Sequence, residues 1–567
     1  MDKTLRINVR TKEATYENTP DEYLKTGGRG LIAKILLKEV KPTCEPLGRN
    51  NKLIFAMGLL TGTNASSASR VCIGSKSPLT GGIKESNAGG ITAMRLAQLG
   101  LKAIIIEDIP EDDKWYYIKV EKDKCTLEPA DQYVGMGTFE FCQEMLEKYP
   151  DSAVTCIGPA GERQYSAAGI ATMDKDKKPN RYSGRGGLGA VMGSKKIKGI
   201  VVIDKEPIKI ADKKKYKEAL KEYTSIINEA PSTLGYKTLG TAATARLSNS
   251  LGGLPVNNFS SGEFKEIEQI SGENLYKVIQ ERGGEGKTSH ACMPGCIIQC
   301  SNIYPDKEGK TIVSPLEYET IGLLGSNLGI ADFDTIAKMN SLCNDIGIDT
   351  IETGAAIGVA MEGGIAKFGD GEAALRLVKE IGEGTILGRV LGNGAVITGK
   401  VLGVINVPAV NGQAMPAYDP RAIKGMGVTY ATSPMGADHT YGSTLKAKIE
   451  QTSTEGQAEL SKNTQKNVAI IDSLGLCLFA SGAIGNNHQL LVDLINARHG
   501  WDMDVKELKR ISEETIRDEH RFNELAGFSI ENYRIPEAFT ERELPNLKSK
   551  FDVRDEDLGQ VIVDFKN

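Results

Sequence analysis

The chain has 567 residues, 40% hydrophobic and 25% charged, with a formal net charge of −5. That is too long for one core, and domains of ~100–200 residues make roughly three; the acidic balance excludes general nucleic-acid binding. The start, MDKTLRINVR, lacks an apolar signal core and no apolar run of ~18 residues follows, so no membrane insertion is expected and the chain reads as cytoplasmic.

Taken in chain order, residues 1–208 read as a β-rich domain. LRINVR, NKLIFAM, SRVCIGS, KAIIIED, KWYYIKV, SAVTCIG and IKGIVVID are strand candidates rich in Val, Ile and Tyr. Between them lie Gly/Ser/Asn clusters such as SPLTGGIKESNAGG and YSGRGGLGAVMGSKK. Beyond Ile208 the apolar spacing turns helical, as in KKKYKEALKEYTSIINEA, DFDTIAKMNSLCNDIG and GEAALRLVKEIGEG. The same texture continues through NTQKNVAIIDSLG, NHQLLVDLINARHG and DVKELKRISEETIRDEHRFNEL. The expected class is α+β: a β-rich domain over 1–208, then two mainly helical domains over 209–417 and 418–567.

Ten cysteines in a reducing cytosol read as core residues, metal ligands or redox groups rather than disulfides. Cys292, Cys296 and Cys300 stand four residues apart in HACMPGCIIQCSN. A helix would spread the outer pair ~12 Å along its axis, and Pro294-Gly295 break a helix in any case. A loop can curl three thiolates round one centre, which with a distant fourth thiol suits an iron–sulfur cluster. Structural zinc is the rival, and three buried core cysteines the plain alternative. Among the other cysteines, Cys343 and Cys477 stand beside related phrases, CNDIGIDT and DSLGLC, in which Asn344–Gly347–Asp349 parallels Asp472–Gly475–Cys477. Such turns can aim carboxylates and backbone N–H groups at a polar ligand; singly, each is an ordinary glycine helix cap.

SGRGGLGAVMGSKK holds Gly184, Gly186 and Gly189, a formal G-x-G-x-x-G, with Asp204 twenty residues after Gly184. The polar run MDKDKKPNRYS stands where a dinucleotide fingerprint needs a hydrophobic strand, so that reading is rejected. A Gly-rich loop with Arg185 remains, able to offer N–H groups to an anion or serving as a plain turn.

These phrases together resemble the tungsten-containing aldehyde:ferredoxin oxidoreductase family. The matching stretches include GGRGLIAKILLKEV, NKLIFAMGLLTGT, SRVCIGSKSPLTGG, SNAGG, GRGGLGAVMGSKKIKGI, PLEYETIGLLGSNLGI, CNDIGIDTIETG, PAYDPR, GVTYAT and DSLGLCLF, in family order along nearly the whole chain. The resemblance implies a β-rich base for a tungsten cofactor, covered by two helical domains. The metal would be held by the dithiolenes of two pterins, with a 4Fe–4S cluster beside them.

It further implies that Cys477 joins Cys292, Cys296 and Cys300 as cluster ligand. Asp472, Asp349 and Asn344 would contact the pterins, and Arg70 would sit between cofactor and cluster. Asn87 and Ser183 would offer carbonyls to a Mg²⁺ bridging the pterin phosphates, among the glycines Gly89, Gly90, Gly184 and Gly186 and beside Arg185. Glu319 and His439 would face the substrate pocket and handle protons. Read alone, Glu319 is a helix N-terminal charge and His439 a loop residue. The implied activity is oxidation of an aldehyde with water to a carboxylic acid, with electrons passed to ferredoxin or an iron–sulfur partner subunit. Another two-electron reaction (ring or acyl reduction) and a non-enzymatic electron-transfer subunit are the alternatives. Three departures from the family archetype stand out: the spacing C-x-x-x-C-x-x-x-C, Asn344 in place of Asp, and Tyr441 in place of Lys. Lys338-Met-Asn-Ser341 replaces the E-x-x-H that binds an iron between subunits, so any homodimer should lack that iron. The lysines of 175–178 and 195–198 are candidate docking sites for an acidic ferredoxin, or simply solvated loops.

Overall fold

The computed structural model describes residues 3–566. The first third forms two six-stranded sheets. One holds β1 (Lys3–Asn8), β2 (Glu13–Asn18), β3 (Leu53–Met57), β4 (Val71–Lys76), β5 (Ile83–Ala88) and β6 (Leu101–Glu107) in the order β2-β1-β6-β3-β4-β5. The other holds β7 (Tyr116–Val120), β8 (Cys125–Pro129), β9 (Ala153–Cys156), β10 (Ile170–Thr172), β11 (Arg181–Ser183) and β12 (Ile197–Val202) in the order β11-β10-β9-β12-β7-β8. Only β1/β6 and β7/β12 pair in parallel.

Strand alternation explains the layering. Leu53, Phe55 and Met57 point into the core between the sheets with Ile118, Val154 and Ile200. Ile54 and Ala56 point the other way, onto Leu31, Ile32 and Ile35 of the helix Gly28–Glu39. Period-2 alternation thus buries both faces of β3. The helix Gly28–Glu39 in turn packs on Gln457–Leu474 and Val505–Leu525, which brings the C-terminal helices onto the first sheet.

All seven strand candidates are strands, and the fold is mixed, β-rich first and helical after, as expected. Missing from that expectation are β2, β5, β8, β10 and β11; the sequence of β5, IKESNA, lies in a polar glycine cluster. β5 is an edge strand, and it abuts β11, the edge of the other sheet. Its polar residues alternate between the two faces, Lys84 reaching Asp438 of the helical part.

The helices follow their patterns. In Gly371–Glu383 the buried residues are Ala373, Ala374, Leu377, Val378 and Ile381, a 3.6-residue stripe, and Asp370 caps the start by accepting from the Ala373 N–H at 2.9 Å. The cysteine loop interrupts the helices as the connection of a small three-stranded sheet, Lys287–His290, Ser301–Pro305 and Thr311–Val313. Among the described residues no single helix is long and apolar enough to cross a membrane.

The expected docking lysines at 195–198 are corrected. Lys195 and Lys198 are fully buried; Lys195 Nζ donates to the carbonyls of Asn51 (2.7 Å) and Asp108 (2.9 Å), and Lys198 Nζ to Met136 (2.7 Å) and to Glu162. They close the β12 end of the sheet and offer nothing to a partner. The ground for rejecting a dinucleotide site also changes. A strand, β11, does precede the glycines, and the helix Leu188–Ser194 follows them. What is missing is topology: β11 pairs only with β10, antiparallel, so no parallel βαβ unit exists.

Candidate functional site

The four predicted thiols converge. The loop 291–300 turns at Gly295, with φ +74°, and carries Cys292, Cys296 and Cys300. Cys477 starts the helix Leu478–Ile484, and its N–H donates to the Ser67 carbonyl at 2.9 Å. Ser67 Oγ lies 3.5 Å from Cys296 Sγ, and Ser66 Oγ accepts from the Ile297 N–H at 2.9 Å, so segment 58–70 ties the two cysteine segments together. Contact with Cys296 pushes the Cys292 thiol well up, and the same contact brings Cys296 down to about 6. Burial, with Glu317, Cys477 and Cys296, pushes Cys300 well up; burial also raises Cys477 against the pull of Arg70. Cys343, the other suspect, is buried in the helix Phe333–Ile346 in a separate core.

Among the described residues, no group of three His, Cys, Asp or Glu side chains is drawn up tightly enough to hold one metal ion. A cluster takes one thiolate at each corner, so its ligands stand apart. The four-thiol donor set fits that group.

Beside the thiols lies Arg70, just before β4. Its Nη2 donates to the Asn87 carbonyl at 2.8 Å and its Nε to Asn87 Oδ1, while the thiols of Cys477 and Cys292 lie beside it and act on its charge. Asn87 Nδ2 donates in turn to Asp472 Oδ1 at 3.2 Å. Gly89 is needed because a Cβ there would lie 2.8 Å from Cys292 Sγ. Burial raises Asp472 to about 6 despite Arg29 and Arg70. Arg29 grips Glu519 through Nε (2.7 Å) and Nη2 (2.8 Å), reaches Asp472 Oδ2 at 3.4 Å, and stacks 3.9 Å above the Tyr441 ring. Tyr441 OH donates to Glu519 at 2.6 Å.

The twin phrases are twin helix–turn–helix corners. Gly347 and Gly475 cap the preceding helices in left-handed backbone (φ +77° and +74°), the conformation only glycine adopts without strain. Asp349 then caps Thr350–Glu362, accepting from the N–H groups of Ile351 (3.1 Å) and Glu352 (3.2 Å). Asn344 is buried, its carbonyl accepting from Thr138 Oγ1 at 3.0 Å and from Tyr182 OH. Arg185 is already committed within the protein: to Asp349 (3.3 Å) and to the carbonyls of Ala414 and Ala437 (both 2.6 Å). It fastens the Gly-rich turn to the helical part, leaving backbone N–H groups for an anion. A Cβ at Gly186 would meet the Lys84 stem at 2.3 Å, one at Gly90 the Met173 carbonyl at 2.4 Å, and one at Gly184 the Asp349 carboxylate at 3.6 Å.

Glu319 stands in the first turn of Tyr318–Leu324. Its Oε2 accepts from the Ala417 N–H at 2.8 Å, and its Oε1 lies 3.5 Å from His439 Nε2. His439 begins the short turn His439–Tyr441, capped by Asp438, which accepts from Thr440 N (2.9 Å) and Oγ1 (2.7 Å). The other Asp438 oxygen takes the ammonium of Lys84, a fully buried lysine on β5, and Lys84 and Arg185 hold Asp438 well below the usual carboxylate range despite its burial. Tyr418 lies 5.9 Å from the His439 ring. The sequence reading missed Lys84, Asp438, Glu352 and Arg29; only the polarity of IKESNA in a β-rich region could have flagged Lys84.

Several buried polar atoms of these segments have no hydrogen-bond partner: Ser183 Oγ, Glu85 Oε1, Gln413 Oε1, Glu319 Oε1 and His439 Nδ1. Each such atom costs about 1–3 kcal/mol. Unpartnered polar atoms at the expected site residues Ser183, Glu319 and His439 fit a polar, hydrogen-bonding cofactor or substrate.

The chain matches the family models described as aldehyde ferredoxin oxidoreductase, N-terminal domain, over residues 4–204, and domains 2 & 3 over residues 218–565. It is 32% identical to the tungsten-containing aldehyde ferredoxin oxidoreductase of Pyrococcus furiosus, covering 96% of this chain and 92% of that one. It is 28% identical to the aliphatic sulfonate oxidoreductase WOR-like subunit of the same organism, over 79% of this chain and 76% of that one. In fold it is similar to the active site complex BamBC of benzoyl coenzyme A reductase, with 1,5-dienoyl-CoA bound there, at TM-score 0.81 and 19% identity over 100% of this chain and 94% of that one. By matches that span nearly its whole length, the chain belongs to the aldehyde ferredoxin oxidoreductase family of oxidoreductases.

Proposed function

We propose that this protein is a tungstopterin oxidoreductase that oxidises an aldehyde with water to a carboxylic acid and passes the two electrons through a 4Fe–4S cluster to ferredoxin. The reading is supported by the family matches over nearly the whole chain, together with the Arg70–Asn87–Asp472 hydrogen-bonded chain beside the Cys292 and Cys477 thiols and the Glu319–His439 pair. Cys292, Cys296, Cys300 and Cys477 would hold the cluster. Asp472, Asp349, Asn344 and Arg70, with Gly89, Gly90 and the turn Ser183–Gly186, would hold the two pterins. The carbonyls of Asn87 and Ser183 would hold a Mg²⁺; that of Asn87 keeps a second lone pair beyond its bond to Arg70.

When bound, tungsten supplies the two-electron chemistry and the cluster a one-electron exit. The chain's own residues manage protons. Glu319 Oε1, with no partner but His439, is placed to take a proton from the attacking water. His439 Nε2 donates to the oxygen on which charge develops. The Ala417 N–H holds the Glu319 carboxylate in place, and the rings of Tyr318 and Tyr418 keep bulk water out.

A second reading, another two-electron reaction on the same cofactor, is favoured by the likeness to the aliphatic sulfonate oxidoreductase WOR-like subunit. Protein purified without oxygen is assayed for tungsten, iron and sulfide, and against an aldehyde panel with a viologen dye. Dye reduction with aldehydes is the expected result. A metal-loaded protein inert to every aldehyde would shift the function to the second reading; zinc in place of iron would overturn the cluster.

A further inference from the structure

We propose that the groove beside the cysteine loop is the docking surface for a small acidic iron–sulfur protein, which exchanges electrons with the cluster there. This deepens the cluster reading above and rests on it.

Three observations carry the inference. The first is position. Pro294 and Gly295 are exposed and form the tip of the loop between Cys292 and Cys296. With consecutive Cα atoms ~3.8 Å apart, Pro294 lies within about 8 Å of the backbones of both Cys292 and Cys296, and Gly295 is the immediate neighbour of Cys296. Among the described residues, these two and Met94, Pro207, Ile208 and Tyr216 line a groove of about 540 Å³. An apolar floor with a polar rim is the anatomy of a transient protein interface.

The second is charge. In the run 205–217, KEPIKIADKKKYK, all six lysines are exposed and the run holds two acids, Glu206 and Asp212, with Asp204 and Glu218 flanking it, so the segment is basic in a chain whose net charge is −5. Lys213 lines the groove, and Lys213, Lys214 and Lys217 have no carboxylate partner among the described residues.

The third is that these lysines oppose local preference. Lys213, Lys214 and Lys215 occupy the first turn of the helix Lys213–Glu229, a turn with no acid of its own beyond the capping Asp212 that precedes it. A helix N-terminus favours carboxylates there, by about 0.3–1 kcal/mol each. Residues kept against their local preference point to function. The other basic stretches do not compete: Lys195 and Lys198 are buried, and in the turn 175–178 Lys175 pairs with Asp176 and Lys177 with Asp151.

In turnover one electron passes from the reduced cluster to the oxidised carrier; the cluster is oxidised by one electron, the carrier reduced by one, no proton or group moves, and the same docking serves the reverse transfer. The test uses full-length protein carrying its cluster, mixed in a stopped-flow instrument with a reduced, acidic 2[4Fe–4S] ferredoxin. The variant is Lys213→Glu/Lys214→Glu/Lys217→Glu. Because it moves acids to a helix N-terminus, it should fold at least as well as the parent. The expected result is a fall of about tenfold or more in the second-order constant at low salt. The parent's rate should drop steeply with ionic strength and the variant's should not. Reduced methyl viologen, a small cation that needs no docking face, should reduce both proteins equally. A parental ferredoxin rate in a cluster-bearing variant overturns the docking surface. A parent without iron and sulfide overturns the cluster reading, and the docking proposal with it.

Discussion

Replacing Glu319 by Gln separates proton handling from architecture. The amide oxygen can still accept from the Ala417 N–H, now at 2.8 Å from Oε2, with the amino group turned toward His439. One charge-assisted hydrogen bond becomes neutral, a change of about 1 kcal/mol in stability. A base lost from the transition state removes ~10²–10⁴ in rate, or about 3–5 kcal/mol of barrier. The expected outcome is therefore a fall in kcat of about that size with cluster and tungsten contents unchanged. The assay is anaerobic dye reduction with an aldehyde, alongside iron, sulfide and metal analysis of the same preparation. Glu319→Ala serves as contrast: it leaves the Ala417 N–H unsatisfied, at about 1–3 kcal/mol, and should lower stability as well as rate. If Glu319→Gln keeps full kcat on every aldehyde the parent oxidises, Glu319 is not the base and the proposed chemistry is wrong.

Cys477→Ser should lose cluster iron and the reduced-state EPR signal; an intact cluster would move the fourth ligand elsewhere. Gly89→Ala places a Cβ 2.8 Å from Cys292 Sγ and should lower iron and sulfide content, whereas Gly235→Ala, with nothing within 4 Å, should not; equal contents in both would remove Gly89 from the cluster's surroundings. Lys84→Met strands Asp438 in the interior, and breaking such a buried pair costs about 3–5 kcal/mol, read as a lowered unfolding temperature. His520 is fully buried between Tyr533 and Phe565 with neither ring nitrogen bonded, and burial lowers its pKa to about 3. Since the unfolded chain protonates it near 6.5, the proton-linked cost of keeping it neutral is absent above that pH and grows progressively as pH falls toward 3, to about 2 kcal/mol at pH 5. His520→Phe should thus unfold at a lower pH than the parent; an unchanged acid midpoint would show that His520 does not set the acid limit.

Much of this was legible in the sequence, for physical reasons. Strands such as LIFAM and AIIIE are apolar on both faces because both faces are buried, and a continuous apolar run survives any register. The cysteine spacing excluded a helix, and the loop is a hairpin connection. The twin glycine phrases are helix caps, as the plainer reading has it: Gly347 and Gly475 end their helices, and those caps set Asp349 and Cys477 at the heads of the next helices. What the sequence hid was pairing across long separations. Nothing in IKESNA says that Lys84 will meet Asp438, and a GSKKIKG run gives no sign that Lys195 and Lys198 are buried on carbonyls. Burial of a lysine depends on the acceptors that the rest of the fold brings, and those lie far along the chain.

Those hidden pairs share one property. Lys84–Asp438, Arg29–Glu519 and Arg185–Asp349 each join a residue of the β-rich part to one of the helical part, and each is buried. A well-packed apolar pair would be about as stable, so net stability does not account for them. Their use is geometric. A charge pair with fixed hydrogen-bond directions defines one relative position of two surfaces, which an apolar contact of the same area does not. Arg29 holds Asp472, Arg185 holds Asp349, and Lys84 holds the Asp438 that caps the His439 turn. The three cations of the base thus set, from beneath, the acids and the histidine proposed to hold the pterins and move the protons. The proposed catalytic cleft is consequently built by the same contacts that close the helical part onto the sheets.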